Sequence, residues 1–194
     1  MRRSLHDHTA LPPLREKGGS RPFPADEKGF SLIELLVVVA IVGILAIALG
    51  FTYEGWMGRY KVEKATKDLY SDLMTARVNA MTRQRMFFVD FPSATSYRII
   101  EDTNDNSASN PGAGDTVLQT FPKTIEYTIT WNSGGAIPFD KRGIISNQGT
   151  ICFTTATDPD YDCIRIFETR INMGKLTTQI SAGGVCNAAN CVAK

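Results

Sequence analysis

The feature that most constrains this 194-residue chain is the run over residues 30–51, FSLIELLVVVAIVGILAIALGF. Of its 22 residues all are apolar or small except Glu34. As a helix rising ~1.5 Å per residue it spans ~33 Å, enough to cross a bilayer core of ~30 Å. A helix buried in a soluble domain is seldom apolar on every face for so long. Gly43 and Gly50 lie inside the run, and membrane helices tolerate glycine better than soluble ones do. A carboxylate in hydrocarbon is costly, so Glu34 marks a functional position that requires a partner.

The net charge of +1 hides an asymmetry. Residues 1–29 carry six basic side chains (Arg2, Arg3, Arg15, Lys17, Arg21, Lys28) against four acidic ones (Asp7, Glu16, Asp26, Glu27). The remainder holds 15 basic and 16 acidic residues, a balance without the clustered basic face of a nucleic-acid binder. Basic residues ahead of the apolar run suit a cytoplasmic N-terminus, with the C-terminal part outside. Both histidines, His6 and His8, precede Gly29, so residues 30–194 lack the imidazole of Ser-His-Asp, Cys-His and His-metal chemistry. No nucleophile–base arrangement or phosphate-cradling glycine loop occurs, and the chain reads as a non-enzyme.

Residues 1–29 are rich in Pro, Gly and charge and cannot build a core, so they are set aside from the fold. Past the apolar run, Val62, Ala65, Leu69, Leu73, Ala76 and Ala80 recur at helical spacing as one stripe. Lys61, Lys64, Lys67, Asp68, Asp72, Asn79 and Arg83 occupy the other face. The helix is therefore expected to continue from Phe30 to about Arg85, membrane-type over 30–51 and amphipathic over 52–85. Residues 86–194 then change period to short β-branched runs: 86–91, 96–101, 117–121, 125–131, 149–155 and 163–169, with a last hairpin of 171–173 and 176–180 around Gly174. Pro92, Pro111, Pro122, Gly134, Gly135 and Pro159 punctuate them. One long helix against short strands predicts an α+β fold with an antiparallel β-sheet.

All four cysteines fall late, at Cys152, Cys163, Cys186 and Cys191. In an exported chain they read as disulfides. Three pairings exist, and the local ones, Cys152–Cys163 and Cys186–Cys191, are favoured. A zinc site fits poorly, because the Cys152–Cys163 gap exceeds the usual spacing of paired ligands. The stretch from Asp102 through Asn104 to Asn106 opens like a calcium loop, with Asp115 as a further carboxylate, but it lacks the EF-hand glycine and terminal glutamate. The preferred reading is an Asx-rich turn with no cofactor, and calcium is the one ion the pattern admits. Asp158, Asp160 and Asp162 read as a solvated turn.

The string Lys28-Gly29-Phe30-Ser31-Leu32-Ile33-Glu34 closely resembles the type IV prepilin signal. That resemblance implies cleavage by a prepilin peptidase between Gly29 and Phe30, N-methylation of Phe30, and pairing of Glu34 with the Phe30 amine of a neighbouring subunit. It makes residues 1–29 a cleaved leader. It places the chain first in the inner membrane, single-pass with a periplasmic C-terminal domain, then in a filament.

Residues 76–89 and the segment 137–143 leading to Gly149-Thr150-Ile151 resemble the H-type pseudopilin and FimT-like minor pilin group. The resemblance implies a pilin-like fold and a structural role in a type II secretion pseudopilus or type IV pilus. Its partners would be other pilins, the peptidase and an inner-membrane assembly platform. The alternative within the group is DNA binding in natural transformation. The region that would serve it offers only Arg170, Gly174, Lys175 and Lys194, too few scattered charges for strong counterion-release binding.

Overall fold

The computed structural model describes residues 29–118 and 120–194, and within them all side chains but those of residues 48–54. The expected leader, residues 1–29, therefore lies outside the described residues apart from Gly29. The chain divides into two units, Met1–Ile44 and Leu45–Lys194. Leu32–Arg83 is one helix, α1, beginning in the first and ending in the second. Among the described residues no helix is long and apolar enough to cross a membrane. The apolar run read as a span, residues 30–51, ends in residues 48–51, whose side chains lie outside that description.

In the second unit, α1 buries Val62, Thr66, Leu69, Leu73, Ala76 and Ala80 completely. This is the expected stripe with one exchange: Thr66 takes the central place and Ala65 sits at its edge. A hydroxyl is accepted there because it donates to the carbonyls of Val62 (3.0 Å) and Tyr161 (3.2 Å). The helix stops at Arg83, two residues before the predicted end. Gln84 turns left-handed (φ 55°), a common helix ending, and its side-chain amide donates to the Met81 carbonyl (2.7 Å).

Ten strands follow: β1 (Phe87–Ser93), β2 (Ser96–Glu101), β3 (Thr116–Val117), β4 (Lys123–Thr124), β5 (Thr128–Trp131), β6 (Ile137–Phe139), β7 (Gly149–Thr154), β8 (Cys163–Ile166), β9 (Ile171–Leu176) and β10 (Cys191–Ala193). They form two antiparallel sheets where a single one was expected. The first runs β3-β2-β1-β6, with β4 also on β2, and the second runs β10-β9-β8-β7-β5. Alternation along the strands sends Phe87, Val89, Tyr97, Ile99, Ile137 and Phe139 from the first sheet into the core with the α1 stripe. Ile129, Ile151, Phe153, Ile164, Ile166 and Ile171 come from the second. The architecture is thus α+β, a long N-terminal helix packed on antiparallel sheet.

The predicted last hairpin is corrected. β9 runs straight through Gly174, opposite Cys163 on β8 and Ala193 on β10. Gly174 reads in sequence as a turn, but its role is close approach. A Cβ there would lie 2.4 Å from the Val192 carbonyl oxygen and 3.0 Å from the Cys191 sulfur.

The disulfide pairing is corrected as well. Cys152 and Cys163 stand opposite each other in the β7–β8 ladder, yet each is bonded to the C-terminal segment, as Cys152–Cys186 and Cys163–Cys191. The physical reason is the alternation of faces. Ile151, Phe153 and Ile164 point into the main core, whereas Cys152 and Cys163 point to the sheet's opposite face. The segment after Thr177 folds back over that face, held by the Asn190 side chain on Thr178 and Val185 and by the β9–β10 ladder. Cys186 and Cys191 are thereby delivered to the sulfurs on that face, at Cα separations of 5.8 and 6.0 Å, and a small second core closes with Leu176 and Ile180.

Two outcomes are expected. Non-reducing peptide mapping of the full chain should recover Cys152 joined to Cys186 and Cys163 joined to Cys191; peptides joining Cys152 to Cys163 would contradict this topology. Leu73→Ala should lower unfolding free energy by ~2–5 kcal/mol in a urea titration, the usual cost of a fully buried leucine.

Candidate functional site

Helix α1 opens just after Ser31, whose carbonyl accepts the Leu35 amide at 3.2 Å. Ser31 and Glu34 stand at capping-box spacing, and Glu34 lies in the first turn, where unpaired amides concentrate positive potential. The position suits a carboxylate electrostatically even before any partner arrives. The surroundings do not. Every described side chain from Phe30 to Ile47 is exposed, including Leu32, Ile33, Leu36, Val39 and Ile44. An apolar surface on all sides of a helix is an unfilled interface.

Phe30, Glu34, Leu35, Val38 and Val39 line one shallow hollow of about 240 Å³. Phe30 and Glu34, read together from the sequence, thus share one face of the helix start. Among the described residues no atom lies within 4 Å of where a Gly29 Cβ would stand. What this face offers chemically is a single acid set in hydrocarbon, fitted to accept one cation or amine delivered by another apolar surface.

The second candidate, the loop between β2 and β3, is built on its own backbone. Asp102 is fully buried and accepts the amides of Asn106 (3.2 Å) and Ser107 (2.9 Å). Asn104 accepts the Asn106 amide and Asn106 the Ala108 amide, as Asx turns do. Asp115 accepts the Asn110 amide at 2.7 Å through one oxygen. Among the described residues, no three His, Cys, Asp or Glu side chains converge on a metal position.

The aspartates of 158–162 separate into two kinds. Asp158 and Asp160 are surface ion pairs, with Lys175 at 2.9 Å and Lys194 at 2.7 Å, and these lysines hold both carboxyls below the usual range. Asp162 is buried, not solvated as expected. Burial pushes its carboxyl up, against the bonds it accepts from Gln179 and the Leu176 amide, both 2.6 Å. Lys175 and Lys194 are thus engaged, and Arg170 lies over the Phe167 ring at 4.6 Å.

One group escaped the sequence reading. Asp72, expected on the solvated face of α1, accepts the Tyr97 hydroxyl and the Lys123 ammonium, the latter at 2.6 Å. Burial first, and then the Asp72 carboxylate, drive the Tyr97 phenol strongly upward. Tyr97 and Lys123 border a hollow of about 510 Å³ lined also by Lys61, Lys64, Asp68 and Tyr127. Helical spacing placed Asp72 outward, and no local signal tells that β2 and β4 meet it there.

A helix that is apolar at its start and amphipathic where it meets antiparallel sheets, with one acid in the first turn, defines a pilin-like subunit. The family described as "Type II transport protein GspH" matches residues 65–169, and the "Prokaryotic N-terminal methylation motif" matches residues 24–50. The chain belongs to the type II transport protein GspH family, and families of this kind are structural subunits.

It is 44% identical over 117 residues to a "Fimbrial protein" of Pseudomonas aeruginosa, covering 57% of this chain and 73% of that one. It is 30% identical over 98 residues to "Type IV major fimbrial protein FimA" of Dichelobacter nodosus, covering 47% of this chain and 61% of the relative. "Competence protein ComGD" of Bacillus subtilis is 31% identical over 78 residues, 40% of this chain and 54% of the relative. The chain therefore spans about three fifths of FimA's length. No solved structure matches it.

Proposed function

We propose that the chain is a minor pilin or pseudopilin, anchored by residues 30–51 in the inner membrane with residues 86–194 in the periplasm. It is cut after Gly29 by a prepilin peptidase, methylated at Phe30 and drawn into a filament by an assembly platform. The observation that carries this reading is the helix start, where Glu34 and Phe30 share a face in an otherwise apolar, all-round exposed surface. In a bilayer that surface is covered by lipid, and in a filament by the same segment of neighbouring subunits. The charge on Glu34 then requires an opposite charge within the apolar core. The amine freed at Phe30 of the next subunit supplies it at a depth that fixes register.

A type II secretion pseudopilus is favoured over a pilus by the match to a type II transport family across the folded unit. The likeness to a competence protein keeps DNA uptake as the alternative. Against it, two of the basic residues that would serve DNA already hold carboxylate partners.

In cells, replacing Gly29 is expected to leave the precursor uncut and out of the filament. Glu34→Leu should be cut normally yet fall by ~10-fold or more in sheared filament fractions, as loss of a buried charge pair of several kcal/mol implies. Wild-type incorporation of Glu34→Leu would remove Glu34 from the assembly role.

A further inference from the structure

The loop between β2 and β3 contains an arrangement that filament assembly does not use. Ile100 pairs with Val117 and Glu101 with Thr116. Side chains alternate along a strand, so extending this register by one residue sets Asp102 opposite Asp115 on the same face. Both are buried, Asp102 completely and Asp115 to within 7%. Arg83 and Arg85 pair with Glu101, and Arg85 also donates to the backbone carbonyls of Asp102 (3.2 Å) and Thr103 (3.0 Å). Lys141 pairs with Asp105, so among the described residues none of these cations is paired with the Asp102 or Asp115 carboxylate. Two buried carboxylates that share a face without a cation are costly.

The bonds around Asp102 are accounted for by the loop's own turns, and by themselves they indicate only an Asx turn. Asp115 is different. Its Oδ2 accepts the Asn110 amide, which turns the carboxylate into the loop, while its Oδ1 is buried without any hydrogen-bond partner. Asn104 packs against the preceding Gly114, where a Cβ would lie 2.5 Å from the Asn104 side-chain nitrogen. The loop is also tied shut at this level by the Thr103 hydroxyl on the Gly114 carbonyl. A buried, unsatisfied carboxylate oxygen one register step beyond the β2–β3 pairs, with a second buried carboxylate across from it, calls for a cation, and the carboxylate and amide oxygens of this loop are hard ligands.

We propose that this loop binds one Ca²⁺, with the carboxylates of Asp102 and Asp115 as charged ligands and the amide oxygens of Asn104 and Asn106 beside them. Carboxylates that accept loop amides keep further lone pairs for a cation. The mixture of two carboxylates and neutral oxygens, on an irregular loop, fits Ca²⁺ better than Mg²⁺, which demands near-ideal octahedral geometry. The site takes ligands from residues 102 and 115, so Ca²⁺ would pin both ends of the loop.

The test uses the full chain in detergent, freed of metal with EDTA. Isothermal titration with CaCl₂ should show one saturable site, and saturating Ca²⁺ should raise the melting temperature by ~5 °C or more. Asp115→Asn should melt like wild type in EDTA but bind Ca²⁺ ~10-fold or more weakly, whereas Asp105→Asn, on the loop's exposed side, should bind as wild type. Absence of saturable binding by the wild-type chain overturns the proposal whether or not the variants fold. So does undiminished binding by Asp115→Asn, or an equal response to MgCl₂. None of these outcomes bears on processing or assembly, so the two readings fail separately.

Discussion

The contact on which the β-rich unit depends is the buried stripe of α1. Val62, Leu69 and Leu73 give it volume, and Ala76 and Ala80 let the helix end approach the sheets closely. Both sheets send alternate residues into this one core, and only the second has a further, small apolar cluster on its other face. The six fully buried α1 positions are what make two short-stranded sheets one folded unit. Thr66 and Asp72 add directional bonds from the helix to Tyr161, Tyr97 and Lys123, which orient a contact that apolar burial alone leaves free to slide.

The same helix begins with the opposite solution. Over residues 30–47 it has no polar face and no packing partner among the described residues. On the proposed reading this surface serves a second environment, one that supplies a positive charge for Glu34. One acid among aliphatic side chains neither suits lipid indefinitely nor holds an apolar bundle together until it is neutralised. Folding of the β-rich unit and the proposed assembly through residues 30–51 thus use different stretches of one element.

Much of this was legible in the sequence because it is local. The prepilin-like string 28–34, the length of the apolar run and the 3–4 spacing of the stripe need no knowledge of the fold. Most strand positions follow from β-branched runs. What escaped was set by distant partners. The disulfides follow which face of β7 and β8 the cysteines occupy and what folds over it, so the nearest-neighbour pairing failed. Gly174 reads as a turn until Val192 is seen pressed against it. Asp72 and Asp162, on or near surfaces by pattern, find partners 51 and 14 residues along the chain, Lys123 and Leu176. Asp115 was singled out as a spare carboxylate, but its unsatisfied oxygen is visible only in three dimensions.

The most direct test of the central claim, that residues 30–51 pass from membrane anchor to filament core by processing, is the intact mass of the chain extracted from the cell envelope. The account predicts a protein that begins at Phe30 and carries one methyl group, ~14 Da, on its terminal amine. A chain that retains residues 1–29 in assembled filaments would contradict it.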